Sequence, residues 1–184
     1  MSHVVFMRGV NVGGNKRFQP TALAGELAHL GAVNLGAAGT FVVRKRLAHA
    51  TVRAEFLRRL PFAAELMICP GHELLKLAAG EPFIGPAASD VRRFVSVLAR
   101  RPRTIPPLPF SFPPTDEWQV QIIGVSGRLA WAWWRRRGRT FLDPNDVIEK
   151  QLGVSATTRN WNTIVRLCEL LRPPSQSRDR GRLR

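Results

Sequence analysis

The stretch Val33-Asn-Leu-Gly-Ala-Ala-Gly-Thr-Phe-Val-Val-Arg-Lys-Arg46 carries two short strand-forming runs, Val33–Ala38 and Thr40–Arg46, on either side of Gly39. Two strands in succession, with a helical segment before and after them, replace simple strand–helix alternation. Upstream, His3 to Val10 reads as a buried strand, followed by a Gly/Asn loop from Gly9 to Gln19. Pro20 suits the first turn of a helix, Leu23, Leu27 and Leu30 form its apolar face, and Gly31 ends it. Downstream, Thr51 can cap a second helix that runs through Leu60 with Val52, Phe56 and Leu57 inward, and Ala64–Cys69 reads as a fourth strand. The order βαββαβ predicts a ferredoxin-like plait in an α+β protein.

The second half predicts a smaller α+β unit ending in two helices. Gly71–Ala79 has Leu74, Leu75 and Ala78 at helical spacing, and residues 80–90 read as a loop. Val91–Leu98 alternates as a strand. Arg100 to Thr115 contains six prolines and predicts extended loop. Glu117–Val125 and Arg128–Arg136 predict a hairpin turning at Ser126-Gly127. Asp143 caps a helix over Pro144–Leu152 closed by Gly153, and Thr157 or Thr158 is expected to cap the last helix. The expected division is residues 1–70, 71–172 and a Pro/Ser/Arg-rich, disordered tail at 173–184.

Charge invites a nucleic-acid reading. The formal net charge is +15, with ten basic and six acidic side chains in residues 1–90 against eighteen and seven in residues 91–184. Yet the chain has 24 Arg and only 4 Lys beside abundant Ala, Gly and Pro, the usage of a GC-rich genome, so composition supplies part of the excess. The expected third strand offers only Phe41 as an aromatic, out of register for an RNA-recognition module. No apolar run reaches the roughly 18 residues of a membrane span, and Met1–Arg8 lacks the basic start of a secretory signal. Cys69 and Cys168 stand far apart without metal or redox spacing, so the chain reads as cytoplasmic, with Cys168 a buried thiol on a helix face.

Two polar signatures stand out. Arg8-Gly9-Val-Asn11-Val-Gly13-Gly14-Asn15-Lys16-Arg17 joins strand to helix, and its glycines can turn backbone N–H groups toward an anion. It is not a Walker loop, because Asn15 separates Gly14 from Lys16, and Arg17 followed by Phe18 stands after Lys16 in place of a hydroxyl residue. The other, Thr157-Thr-Arg159-Asn160-Trp161-Asn162-Thr163, reads as a helix start, where exposed N–H groups and the helix dipole favour an anion. A glycine turn and a capped helix account for most of both segments. Neither explains Arg8, Asn11, Arg159, Asn160 and Asn162. Residue types that folding leaves unexplained point to function, so these five are expected to meet at one partly exposed site, and Arg159→Ala is expected to cost little stability. Leu129, Trp131 and Trp133 share a strand face and read either as core or as a base-stacking platform beside Arg135–Arg137. Asp143, Asp146 and Glu149 read as cap and surface charge rather than as a metal site.

Phe6-Met-Arg8-Gly9-Val-Asn11-Val-Gly13-Gly14, Pro82-Phe83 and Thr157–Thr163 followed by Leu167 and Leu170-Leu171 together resemble the bacterial "domain of unknown function 1697" family, over nearly all of residues 3–172. The resemblance implies an α+β protein with a ferredoxin-like first half and brings no activity. Members usually carry Gln-Ser-Gly-Asn between the second and third strands; here the residues are Ala37-Ala38-Gly39-Thr40. The resulting expectation is a phosphate- or carboxylate-bearing ligand held by Arg8, Asn11, Gly13, Gly14, Lys16, Arg159, Asn160 and Asn162, with no metal and no cofactor. The alternative is a non-specific nucleic-acid module on the basic second half. No reaction is legible, and whether the chain is an enzyme stays open.

Overall fold

A computed structural model of the chain describes residues 2–10, 18–84, 88–136 and 142–172. The first sheet is built from β1 (His3–Met7), β2 (Ala32–Asn34), β3 (Thr40–Val43) and β4 (Leu66–Pro70), in the order β2-β3-β1-β4 and antiparallel throughout. Helix α1 (Pro20–Glu26) precedes β2 and α2 (His49–Arg59) precedes β4. Pro20 opens α1 as expected; the expected end at Leu30 is a separate 3-10 turn, Ala28–Leu30, and Gly31 closes it with φ 64°. Helix α2 starts two residues before the expected cap. Ala48 takes the N-cap position without a side-chain bond, and Thr51 lies in the first turn.

After α3 (Gly71–Ala79) the second sheet follows. It contains β5 (Val91–Leu98), β6 (Phe110–Phe112), β7 (Val120–Ser126), β8 (Leu129–Arg135) and β9 (Ala156–Asn160), in the order β6-β7-β8-β5-β9. Helix α4 (Pro144–Leu152) lies between β8 and β9, and α5 (Trp161–Leu171) ends the described chain. Two strands here depart from the sequence reading. Phe110–Phe112 sits between prolines yet pairs with β7, which it can do because it is an edge strand. Thr157 and Thr158 do not cap a helix but run in β9, where pairing with β5 places Val97 opposite Thr157 and Val95 opposite Arg159. β-branched threonines fit that pleated edge well. The cap of α5 is Asn160, whose Oδ1 accepts from Thr163 N and Thr163 Oγ1, each at 2.8 Å.

The pleat assigns each face. Val5, Met7, Phe41, Val43 and Ile68 of the first sheet bury against α1 and α2, with Leu23, Leu27, Val52 and Phe56. The opposite face, Val4, Phe6, Val42, Met67 and Cys69, meets Val95, Val97 and Leu129 of the second sheet together with Leu74 of α3 and Ile164, Leu167 and Cys168 of α5. Trp131 and Trp133 pack against this cluster, so the expected aromatic face is core-facing. Beyond the second sheet, Leu98, Val120, Ile122, Ala130 and Ala132 close on Val147, Ile148 and Leu152 of α4. One hydrophobic cluster thus joins the two sheets. Each large side chain buried in it contributes about 1.5–3 kcal/mol, enough to hold the two sheets together.

Candidate functional site

The two sheets are also joined by a polar seam, and Arg159 forms its centre. The side chain leaves β9 on the face turned toward the first sheet. Nε donates to Thr40 Oγ1 at 2.8 Å. Nη1 donates to Thr157 Oγ1 at 2.8 Å and Thr158 O at 2.9 Å. Nη2 donates to Met7 O at 3.0 Å and Ala38 O at 2.6 Å. An arginine has five N–H donors, so every one is engaged inside the protein. None of the acceptors is a carboxylate. Burial pushes the guanidinium down to about 10, still far above neutrality, so it remains a cation held by neutral oxygens. The guanidinium also lies 5.7 Å from the centre of the Phe6 ring.

Arg8 makes a second clasp one residue beyond Met7. Its Nε and Nη2 donate to the two carboxylate oxygens of Glu149 on α4 at 2.9 and 2.8 Å, and Glu65 lies at 3.7 Å from Nη1. Glu149 Oε1 also accepts from Ala156 N at 2.7 Å, which ties α4 to the start of β9. Burial pushes the Glu149 carboxyl up, but the bonds from Arg8 and Ala156 outweigh it and hold it below the ordinary carboxylate value. The bond from Glu149 in turn raises Arg8. Arg8 and Arg159 therefore both reach this seam, and their bonds there join strands and helices.

The concave surface beside this seam is a cleft of about 530 Å³ lined by Val91, Arg92, Arg93, Phe94, Asn160, Trp161 and Asn162. Its origin is topological. β9 pairs with β5 from Phe94 to Leu98 and then turns directly into α5. The first residues of β5 therefore border an opening instead of a strand, and the N-terminus of α5 opens into it. The first N–H groups of a helix have no partner within it and carry the positive end of its dipole. Arg92 is exposed, with Nη1 donating to Ser89 O at 3.3 Å. The guanidinium of Arg93 lies 5.8 Å from the centre of the Phe83 ring, which stacks edge-to-face on Trp161 at 5.1 Å.

Pro82-Phe83 and Thr157–Thr163 thus adjoin one another in space. The profile of a protein family of unknown function, DUF1697, matches residues 1–106. The chain belongs to the DUF1697 family. None of the functionally curated proteins matches it. Among solved structures it is similar to the conserved bacterial protein SP0830 from Streptococcus pneumoniae, at 16% identity and a TM-score of 0.56, over 93% of this chain and 98% of that one. At that identity the likeness speaks for the mixed α+β fold alone.

In this DUF1697 chain the expected site residues separate into three groups. Asn11, Gly13, Gly14 and Lys16 lie outside the described residues. Arg8 and Arg159 lie in the seam, and Arg159 has no N–H left for a ligand. Asn160 and Asn162 line the cleft, with Asn160 also serving as the α5 cap. Their separation follows from the strand: successive residues of β9 point to opposite faces, which a helical reading of residues 157–160 could not reveal. Arg92 and Arg93 were missed as ligand candidates because alternation alone placed them on a strand. The signal that could have found them is Asn160-x-x-Thr163, an N-cap pattern that starts the helix at Trp161.

The other expected charges are dispersed. Asp143 caps α4 by accepting from Asn145 N at 2.8 Å, and among the described residues no group of three His, Cys, Asp or Glu could hold a metal ion. Arg135 lies opposite Val91 at the cleft end of the second sheet, where Nε donates to Trp118 O and the guanidinium covers the Trp118 ring. Arg100, Arg101 and Arg103 follow the other end of β5, about 20 Å away along an eight-residue strand. Arg137 and Arg139 lie outside the described residues. Cys69 and Cys168 are buried free thiols; burial pushes Cys69 up to about 12. Among the described residues no helix is long and apolar enough to cross a membrane.

Proposed function

We propose that this protein binds a small phosphate- or carboxylate-bearing ligand in the cleft at the start of α5. The observation that carries the reading is the lining itself. Arg92, Asn160 and Asn162 border an opening at the N-terminus of an 11-residue helix, with Arg93 lining it from the opposite pleat of β5, beside Phe83. Guanidinium forks and helix N–H groups both favour oxyanions over other ligands. Asn11, Gly13, Gly14 and Lys16, which lie outside the described residues, remain ligand candidates on their sequence alone, while Arg8 stands in the seam on Glu149. Arg159 enters the proposed site only as the residue that orients β9. No reaction is assigned.

Nucleic acid is the weaker reading, because the arginines of the second half divide between the two ends of the sheet. The strand order β2-β3-β1-β4 with helices after β1 and β3 supports reading the first half as a ferredoxin-like plait. Two buried free thiols support a reducing, cytoplasmic setting.

The test is thermal unfolding in inorganic phosphate, sulfate and citrate, compared with chloride at equal ionic strength. The chloride control removes general screening of a protein of charge +15. Phosphate should raise the midpoint beyond chloride by mass action, and the double substitution Arg92→Ala/Asn162→Ala should remove the difference. Equal effects of phosphate and chloride, or a phosphate effect that survives the substitutions, would refute the reading.

A further inference from the structure

We infer that a second cleft, on the far side of α3, binds a small planar aromatic molecule carrying a single negative charge. The cleft has a volume of about 670 Å³, within the range of about 300–1,000 Å³ that small-molecule sites occupy. It lies between one face of α3, the β7–β8 turn and the loop after β5. Leu77, Pro82, Ile105, Leu129 and Trp131 supply apolar wall. Its charged groups are Lys76, Arg101 and Glu73, with His72 beside them, which leaves a net charge of one positive unit when His72 is neutral. A monoanion complements that balance; a dianion or a neutral molecule does so less well.

Two features show that the wall is fixed in place. Gly124 lies within β7, where glycine weakens a strand by about 0.5–1 kcal/mol relative to alanine. The reason is Trp131: a Cβ on Gly124 would come within 2.0 Å of Trp131 Cζ2. The register of β7 against β8 shifts at Ile122/Gly124, and the indole of Trp131 occupies the space a side chain at residue 124 would need. Trp131, seated against Gly124, is thereby part of the cleft wall. At the rim, Glu81 adopts φ 45° immediately before Pro82, a conformation rare for any side chain. Glu81 N donates to Ala78 O at 3.2 Å, which holds Pro82 over the cleft. Local strain of this kind concentrates at ligand-binding loops.

Aromatic stacking on Trp131 and one charge contact to Lys76 or Arg101 together define the ligand class. The probe is 1-anilinonaphthalene-8-sulfonate, an aromatic monoanion with a flat naphthalene ring, against N-phenyl-1-naphthylamine, which has the same rings without the sulfonate. The anionic dye should bind the folded protein at one saturable site, more tightly than the neutral dye. Lys76→Glu/Arg101→Glu should weaken the anionic dye at least about tenfold and leave the neutral dye unchanged. Ser126→Phe, at an exposed position on the rim, should weaken both. Inorganic phosphate, the probe of the α5 cleft, should not displace the dye, so the two readings fail independently. Equal affinity for both dyes, or dye binding indifferent to all three substitutions in a folded protein, would overturn the inference.

Discussion

Nη2 of Arg159 donates to the carbonyl oxygen of Met7 at 3.0 Å, across 152 residues of sequence. Met7 ends β1 and Arg159 belongs to β9, so this bond joins the first sheet to the second. It is one of five that the same guanidinium makes, and Ala38 and Thr40 in the turn and strand after β2 receive two of the others. In the Ala37-Ala38-Gly39-Thr40 turn a backbone carbonyl and a threonine hydroxyl serve Arg159.

Arg159→Ala should therefore be costly. It removes the donor from acceptors such as the buried Thr40 hydroxyl, and a hydrogen bond to a charged group contributes about 1.5–3 kcal/mol net. The expected loss is about 3 kcal/mol in urea unfolding, the scale of breaking a buried charged network. Arg159→Lys should recover less than half, because an ammonium cannot reach five acceptors in one plane. A loss under about 0.5 kcal/mol would place Arg159 among ordinary surface residues.

The Arg8–Glu149 pair should contribute less. The Arg8 side chain is 39% exposed, so solvent screens the pair and a double-mutant cycle should give about 1 kcal/mol. Its pH dependence has a definite sign. Glu149 titrates below its unfolded value of 4.5, so its contribution is complete above that pH and disappears as pH falls through the folded value. Unfolding free energy measured from about pH 6 to 3 should decline in the wild type and decline less in Glu149→Gln.

Gly124→Ala tests the seat of Trp131. The added methyl has no room unless the indole moves, so a loss of about 1–3 kcal/mol and a changed near-ultraviolet circular dichroism spectrum are expected. An unchanged spectrum would mean that the indole does not rest on Gly124.

The Cys69 thiol should resist labelling. Burial pushes it up to about 12, and the side chain is fully enclosed. At pH 8 a thiol reagent should label the folded protein at least about a hundredfold more slowly than the unfolded chain. Rapid labelling of Cys69 in the native state would contradict the packing of β4.

Much of the fold was legible. Alternation in Val91–Leu98, the Asp143 cap and Gly31 and Gly153 as helix stops are local signals that match observed elements, and the hairpin turn falls one residue later than expected, at Gly127-Arg128. What local signals could not supply was pairing. Phe110–Phe112 forms a strand because β7 receives it, and Ala156–Asn160 forms one because β5 does. The same gap governs the site. Reading Thr157–Asn160 as a helix put Arg159 and Asn160 on neighbouring surfaces; the strand sends one into the seam and leaves the other at the cleft. Arg92 and Arg93 had no local mark of function, because their partner is a helix that begins about 70 residues later.

The proposed function stands on an anion binding at the start of α5. A titration of the ¹⁵N-labelled protein with inorganic phosphate, followed by amide chemical shifts, tests it most directly. Saturable shifts centred on Trp161, Asn162, Arg92 and Arg93 are the expected result, with those of Met7 and Thr40 little changed. Shifts centred instead on Met7, Thr40 and Arg159, or no saturable shift at any concentration, would contradict it.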